Sequence, residues 1–217
     1  KKPSYKFTYN EVHALPAKGS NAKDYWGYYN GKNNNESLIP NTPLSYAQLI
    51  HYRSELADRN VYTDYVKSAV LEKIQYPSGG ISEFVFESNQ TSGINSKKQG
   101  GLRVKEVKDL DGEGNTYKHT FYTYEEFHGL DWDVSLTHRD FYSTKVFSSD
   151  FILTDHNLNK QGHFYGKVTL EQKIATNDYI KSEYLFEDNS TLSSFSSVPK
   201  ETILYRENDT IQKKQYF

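Results

Sequence analysis

The chain has 217 residues, with 26 basic and 28 acidic side chains interspersed to a net charge of −2, so no basic stripe collects phosphates and nucleic acid is excluded as an expected partner. It contains no Cys, which removes disulfides, thiol nucleophiles and thiolate metal sites together. No apolar run approaches the ~20 residues that cross a bilayer as a helix, so no membrane span is expected.

A chain of this length can bury roughly 70% of its unfolded surface. Only 35% of the residues are hydrophobic, however, and 19 are Tyr. A tyrosine ring packs while its hydroxyl needs water or a partner, which predicts a thin core that is wet at its edges. Aromatic and β-branched residues mixed with Asn, Ser, Thr and Asp predict many strands and many turns. Met is absent even at position 1, so the chain reads as a single mostly-β region, 1–217, of a longer product. A subdivision into a loop- and helix-containing part, 1–75, and a hairpin sheet, 76–217, is the alternative.

In chain order, Tyr5-Lys6-Phe7-Thr8-Tyr9 alternates aromatic with polar, the period of a half-buried strand. Residues 13–45 lose periodicity and read as a long ordered loop pinned by Tyr25, Trp26, Tyr28 and Tyr29. Residues 45–74 carry the helical patterns. Ser45 caps one segment through Leu49, Ile50 and Tyr52, and Thr63 caps another through Val66, Val70, Leu71 and Ile74, the last four at spacings of three and four. From Ile74 onward the chain reads as hairpins. Pro77-Ser78-Gly79-Gly80 is a turn, with Ile81, Glu83, Val85 and Glu87 on one face of the return strand and Ser82, Phe84 and Phe86 on the other. Residues 101–108 and 117–124 flank an acidic turn, 109–115. Further strands are expected at 147–154, 164–173, 179–186, 202–206 and 211–217. The fold class is therefore mainly β: antiparallel hairpins forming a sandwich or an extended curling sheet, with one or two short helices around 45–74.

Three motifs stand in fixed order: Asp24-Tyr25-Trp26-Gly27-Tyr28-Tyr29-Asn30-Gly31-Lys32, Tyr76-Pro77-Ser78-Gly79-Gly80 and Gly100-Gly101-Leu102-Arg103-Val104-Lys105. Together with Gly166-Lys167-Val168-Thr169, Tyr184-Leu185-Phe186 and the final Lys213-Lys214-Gln215-Tyr216, they resemble a segment of very large exported Bacteroidetes proteins. In those chains the segment lies before or among tyrosine-aspartate (YD) repeats of the Rhs and wall-associated type. The resemblance covers about residues 24–217 and carries no catalytic residues over. It implies a secreted or surface-exposed β scaffold, part of a shell or a presenting stalk on the outer-membrane surface of a bacterium. No clear tyrosine-aspartate array occurs here, which leaves an encapsulating shell to other parts of the parent chain.

Several constellations have both a chemical and a plain reading. Asp109, Asp111 and Glu113 offer oxygens at alternating spacing for calcium, the one cofactor the sequence suggests. The same Asp-Gly and Glu-Gly pairs are what a hairpin turn requires, and the distal bidentate Glu is missing. The seven His show no metal-ligand spacing. Glu125-Glu126 and Asp131-Trp132-Asp133 bracket His128 and Gly129, two carboxylates beside an aromatic platform as a glycosidase needs, although acidic residues in a polar connection are commonplace. Tyr25, Trp26, Tyr28, Tyr29 and Trp132 are the candidate ligand-binding residues. The first four form either an exposed shelf for a cell-surface glycan or protein, or a staple of the long loop onto the sheet, the reading that aromatic burial favours.

The leading expectation is a noncatalytic scaffold or interaction domain, partnered by the rest of its own longer chain. The alternatives are a carbohydrate-binding module using exposed aromatics, a glycoside-acting enzyme, and a cargo or accessory subunit of an outer-membrane export machine.

Overall fold

The computed structural model describes residues 3–38, 57–93, 96–128, 139–141, 144–146, 164–175, 178–186, 199–206 and 209–216. The strands are β1 (Lys6–Tyr9), β2 (Leu71–Gln75), β3 (Ile81–Gln90), β4 (Lys98–Leu110), β5 (Thr116–His128), β6 (Arg139–Phe141), β7 (Thr144–Val146), β8 (Phe164–Ala175), β9 (Asp178–Leu185), β10 (Glu201–Arg206) and β11 (Asp209–Gln215). A single helical turn, α1 (Thr63–Val66), precedes β2. Nine strands form one open sheet in the order β1-β2-β3-β4-β5-β8-β9-β10-β11, every pair antiparallel, while β6 and β7 pair separately. Of the two expected forms, sandwich and extended sheet, nine of the described strands build one open sheet.

The helical expectation for residues 63–74 is corrected. α1 ends at Val66, Tyr62 and not Thr63 occupies its N-cap, and Leu71 and Ile74 lie in a strand. The apolar spacing there is real, but pairing overrides it. Ala69 N donates to Asn10 O at 2.9 Å and Asn10 N to Val70 O at 2.8 Å, so β1 draws the chain into a ladder. Ala69 turns the corner at φ 60°. The helical segment expected from Ser45, and the strand expected at 147–154, lie outside the described residues.

The register sorts the side chains onto two unlike faces. Direct cross-strand partners share a face, which places Lys73, Glu83, Glu106, Lys108, His119, Glu125, Lys167, Lys181, Glu183, Glu201 and Lys213 on one side of the sheet. Ion pairs lace that side together. Lys73 Nζ lies 2.7 Å from Glu83, Lys167 Nζ 2.9 Å from Glu125 and 3.4 Å from Glu183, Lys181 Nζ 2.8 Å from Glu183, and Lys213 Nζ 2.9 Å from Glu201. The opposite side carries Phe7, Ile74, Phe84, Val107, Tyr122, Leu170, Ile180, Tyr184 and Leu204, interspersed with Ser82, Thr120, Ser182 and Thr202 and with Asp109, Lys118, Gln172, Arg206, Gln212 and Lys214.

Closely packed interior is scarce, as the composition predicts. Among the described residues only Ala22, Ala57, Val66 and Tyr165 are fully buried apolar side chains, and buried polar groups outnumber them. Tyr165 marks the main packing centre. β4 pairs with β5 only over Glu106–Leu110, so the two strands part along the first half of β4. Arg103 fills the wedge between them, its guanidinium 4.7 Å from the Tyr124 ring and 5.1 Å from the Tyr165 ring. Glu87 accepts from Arg103 Nε at 2.7 Å. Tyr165 Oη accepts from Gln90 N at 3.0 Å, tying β8 to the end of β3 across the gap.

Candidate functional site

The loop Asp24–Lys32 is held by polar groups taken out of water. Asp24 Oδ1 accepts from Trp26 N and Tyr28 N, both at 2.9 Å, closing a tight turn around the carboxylate. Asn30 is wholly buried; its Nδ2 donates to Asp58 O at 2.8 Å and its Oδ1 accepts from Lys32 N at 3.1 Å. Asn35 repeats this on the same neighbour, donating to Asp58 O at 3.0 Å and accepting from Asp58 N at 3.1 Å. The segment after Ala57 is thus stitched to the loop by amide side chains, which explains how a stretch without apolar periodicity becomes ordered.

Two of the three sequence motifs meet here. The Trp26 side chain lies so close over Gly100 that a Cβ there would come within 2.5 Å of it. Gly101, at φ +79°, faces the Tyr28 hydroxyl, which would stand 3.0 Å from a Cβ. The two glycines at the start of β4 therefore form the seat of the aromatic loop, and their lack of side chains is what admits it. Tyr29 packs edge-on to Tyr65, with ring centroids 5.5 Å apart, and His13 stacks on Tyr65 at 4.2 Å.

Beside this seat lies a pocket of about 370 Å³, lined by Tyr25, Trp26, Arg59, Asn60, Val61, Lys97, Lys98 and Gln99. Tyr25 and Trp26 meet at 85°, with centroids 6.3 Å apart, and make two walls of a corner. Arg59 is 5% exposed. Its Nη2 donates to Asp24 O at 2.9 Å and its Nη1 to Leu38 O at 3.2 Å, and the guanidinium lies 4.8 Å from the Tyr25 ring centroid. Arg59 Nε, Gln99 Oε1 and Asp24 Oδ2 are buried without a hydrogen-bond partner. Each such group costs about 1–3 kcal/mol of lost solvation. Burial pushes the Asp24 carboxyl up to about 7, against the lowering by its two backbone donors and Arg59.

The other sequence candidates are scattered. Asp109 faces Ser82 across the β3–β4 ladder, with Oδ1 2.5 Å from Ser82 Oγ. Asp111 spends its oxygens on its own turn: Oδ1 accepts from Glu113 N at 2.9 Å and Asn115 N at 2.8 Å, and Oδ2 from Asn115 Nδ2 at 3.1 Å. These bonds hold its carboxyl below the usual range. Glu113 is exposed on the turn, and no three His, Cys, Asp or Glu side chains among the described residues gather as a metal would need. Glu125 pairs with Lys167, and Glu126 sits at φ 55° between the Glu125–Lys167 and Phe127–Tyr165 pairs of the β5–β8 ladder. Trp132, Asp131 and Asp133 lie outside the described residues. Arg59 and Gln99, which complete the pocket, are the site residues that the sequence reading did not single out.

Comparison of the chain with protein-family models, with curated proteins and with solved structures returned no match. No helix among the described residues is long and apolar enough to cross a membrane.

Proposed function

We propose that this chain is a noncatalytic β scaffold, a wall segment of a large secreted or surface protein of the Rhs-like kind, partnered by the rest of its own longer chain. The observation that carries this reading is the uneven division of one long antiparallel sheet into a face that holds most of its cross-strand ion pairs and a face richer in aromatic, aliphatic and hydroxyl side chains. A sheet with one face richer in apolar groups gains stability by laying that face on further protein. The ion-paired face suits water, and the ordered loop and its pocket decorate the β3–β4 end. The chain-order arrangement of the strands suits a wall, because adding a strand at either edge lengthens it without rebuilding it.

The test is the intact mass of the native polypeptide, isolated from fractionated source cells and mapped at both ends. A polypeptide far above 25.2 kDa in the surface or secreted fraction is expected. A mature product near 25.2 kDa, or one confined to the cytosol, refutes the scaffold reading.

A further inference from the structure

We propose that the open edge at β1 is a self-association surface, on which a second copy of this chain adds its own β1 antiparallel across a two-fold axis through Phe7. This goes beyond the scaffold reading and does not rest on it. Among the described residues β1 ends the sheet and pairs with β2 alone, and it is exposed along its whole length. Hydrogen bonding fixes which of its backbone groups are open. Asn10 N donates to Val70 O and Asn10 O accepts from Ala69 N, so both groups of Asn10 face the β2 side. Strand alternation then turns Lys6 and Thr8 to β2 as well, opposite Gln75 and Lys73. Tyr5, Phe7 and Tyr9 are left with N–H and C=O aimed at the open edge. The same three residues carry their rings on one face, each about half exposed, with Tyr5 stacked on Phe7 at 6.3 Å. Open donors and acceptors beside an exposed aromatic row form a template for a further strand.

Direction and register select a copy of the chain as that strand. The nine-stranded sheet is antiparallel throughout, so β1 and β11 run the same way. A translated copy would therefore set β11 against β1 in parallel, unlike every pair within the sheet. A two-fold axis normal to the sheet sets β1 against β1 antiparallel and closes the assembly as a dimer. Direct partners share a face, so such an axis passes through a residue. Through Phe7, it places Phe7 opposite its equivalent and Tyr5 opposite the second copy's Tyr9, while Lys6 meets Thr8. All three outward-facing residues of each copy then find backbone partners, and their rings form one continuous ladder. An axis through Lys6 would oppose two cations, and one through Thr8 would leave Tyr5 opposite Glu11, beyond the end of the strand. The other edge is less receptive. Adjacent Lys213 and Lys214 put a cation on each face of β11, the device that blunts natural edges.

A contact this short falls below the roughly 1,000 Å² of a stable interface, so the dimer is weak and reversible. Sedimentation equilibrium of the intact chain from about 10 μM to 1 mM tests for it, with amide exchange at Phe7 followed over the same range. A monomer–dimer equilibrium is expected, with the Phe7 amide slowing as concentration rises. Phe7→Lys sets two cations on the axis and should weaken association at least about tenfold, leaving the melting temperature of the dilute chain unchanged. Because the chain has no Cys, a single introduced cysteine reports the register. Phe7→Cys brings the two Cα atoms to about 5.5 Å across the axis and should cross-link under mild oxidation. Thr8→Cys lies diagonally from its equivalent, roughly 7–8 Å away, and should not. A chain monomeric throughout the range overturns the proposal. So does a monomer whose Phe7 amide is protected at every dilution, since a segment of the same chain then covers the edge. A dimer insensitive to Phe7→Lys, or cross-linked as fast by Thr8→Cys as by Phe7→Cys, uses another surface or register and equally overturns it.

Discussion

Asp24 shows how a side chain can be both the organiser of a loop and its weak point. Its Oδ1 closes the turn by accepting from Trp26 N and Tyr28 N, but its Oδ2 is buried without a partner. Desolvation therefore dominates and lifts the native carboxyl from 3.8 to about 7. A folded-state pKa raised above the unfolded one gives stability that is complete below about pH 4 and is lost as pH rises through 7. The loss approaches about 4 kcal/mol at its limit, since each unit is worth about 1.4 kcal/mol. Asp24→Asn keeps the Oδ1 acceptor and removes the titration. In urea unfolding from pH 4 to pH 8, the variant should gain on the native chain by several kcal/mol as pH rises. A difference between the two that stays constant with pH would refute the assignment. Asp24, Trp26 and Tyr28 were legible in the sequence as a motif, as were Gly100 and Gly101. Their contact was not, because nothing local in either segment encodes a partner some seventy residues away. Arg59 had still less to mark it, since a single Arg in a polar stretch reads as a solvated cation until the fold buries it.

At the scale of the strand, period-two patterning proved a dependable guide and three-four spacing did not. The alternation in β3 and the turn at Pro77–Gly80 were plain from the residues, whereas Val66, Val70 and Ile74 imitate a helix that β1 and β3 pull into a ladder. The parting of β4 from β5 was also hidden, since it depends on how Arg103, Tyr124 and Tyr165 fill the space together. Within that wedge Tyr165 does what a ladder would otherwise do. Its hydroxyl accepts from Gln90 N at 3.0 Å and lies 3.2 Å from Gln90 O and 3.3 Å from Asn89 Oδ1. Tyr165→Phe keeps the ring packing on Tyr124 and leaves the Gln90 N–H unmatched beside a buried amide. A loss of about 1–3 kcal/mol in global stability is expected, with faster hydrogen exchange at Gln90 in particular. An unchanged exchange rate at Gln90 would show that this hydroxyl does not tie the strands.

For the molecule as a whole, the sheet's chain-order topology sets how stability is distributed. Substantial contacts run between neighbouring strands, with α1 resting on β3 as the addition. Such a structure is nearly one-dimensional, and each strand is then stabilised by its two neighbours and not by a shared centre. Most of the buried strand positions, such as Ser88, Asn89, Gln99, Thr120 and Tyr165, fall in β3, β4, β5 and β8, with Glu183 in β9, while β11 is exposed along its full length and β1 likewise. Among the described residues β10 and β11 are joined to the sheet through β9, and the ion pairs that reinforce them, such as Lys213 with Glu201, are solvent-exposed on the Lys side and weak in salt. Native-state hydrogen exchange in graded denaturant should therefore resolve steps. The β11 amides should open first, β10 and β9 next, and the β3–β4 and β5–β8 ladders only with global unfolding. Raising the salt from 0.05 M to 1 M should widen the gap between β11 and the central ladders. If all nine strands exchange instead with one common free energy, a cooperative layer beyond nearest neighbours must bind the sheet together, and the wall-like picture of independent strand addition fails with it.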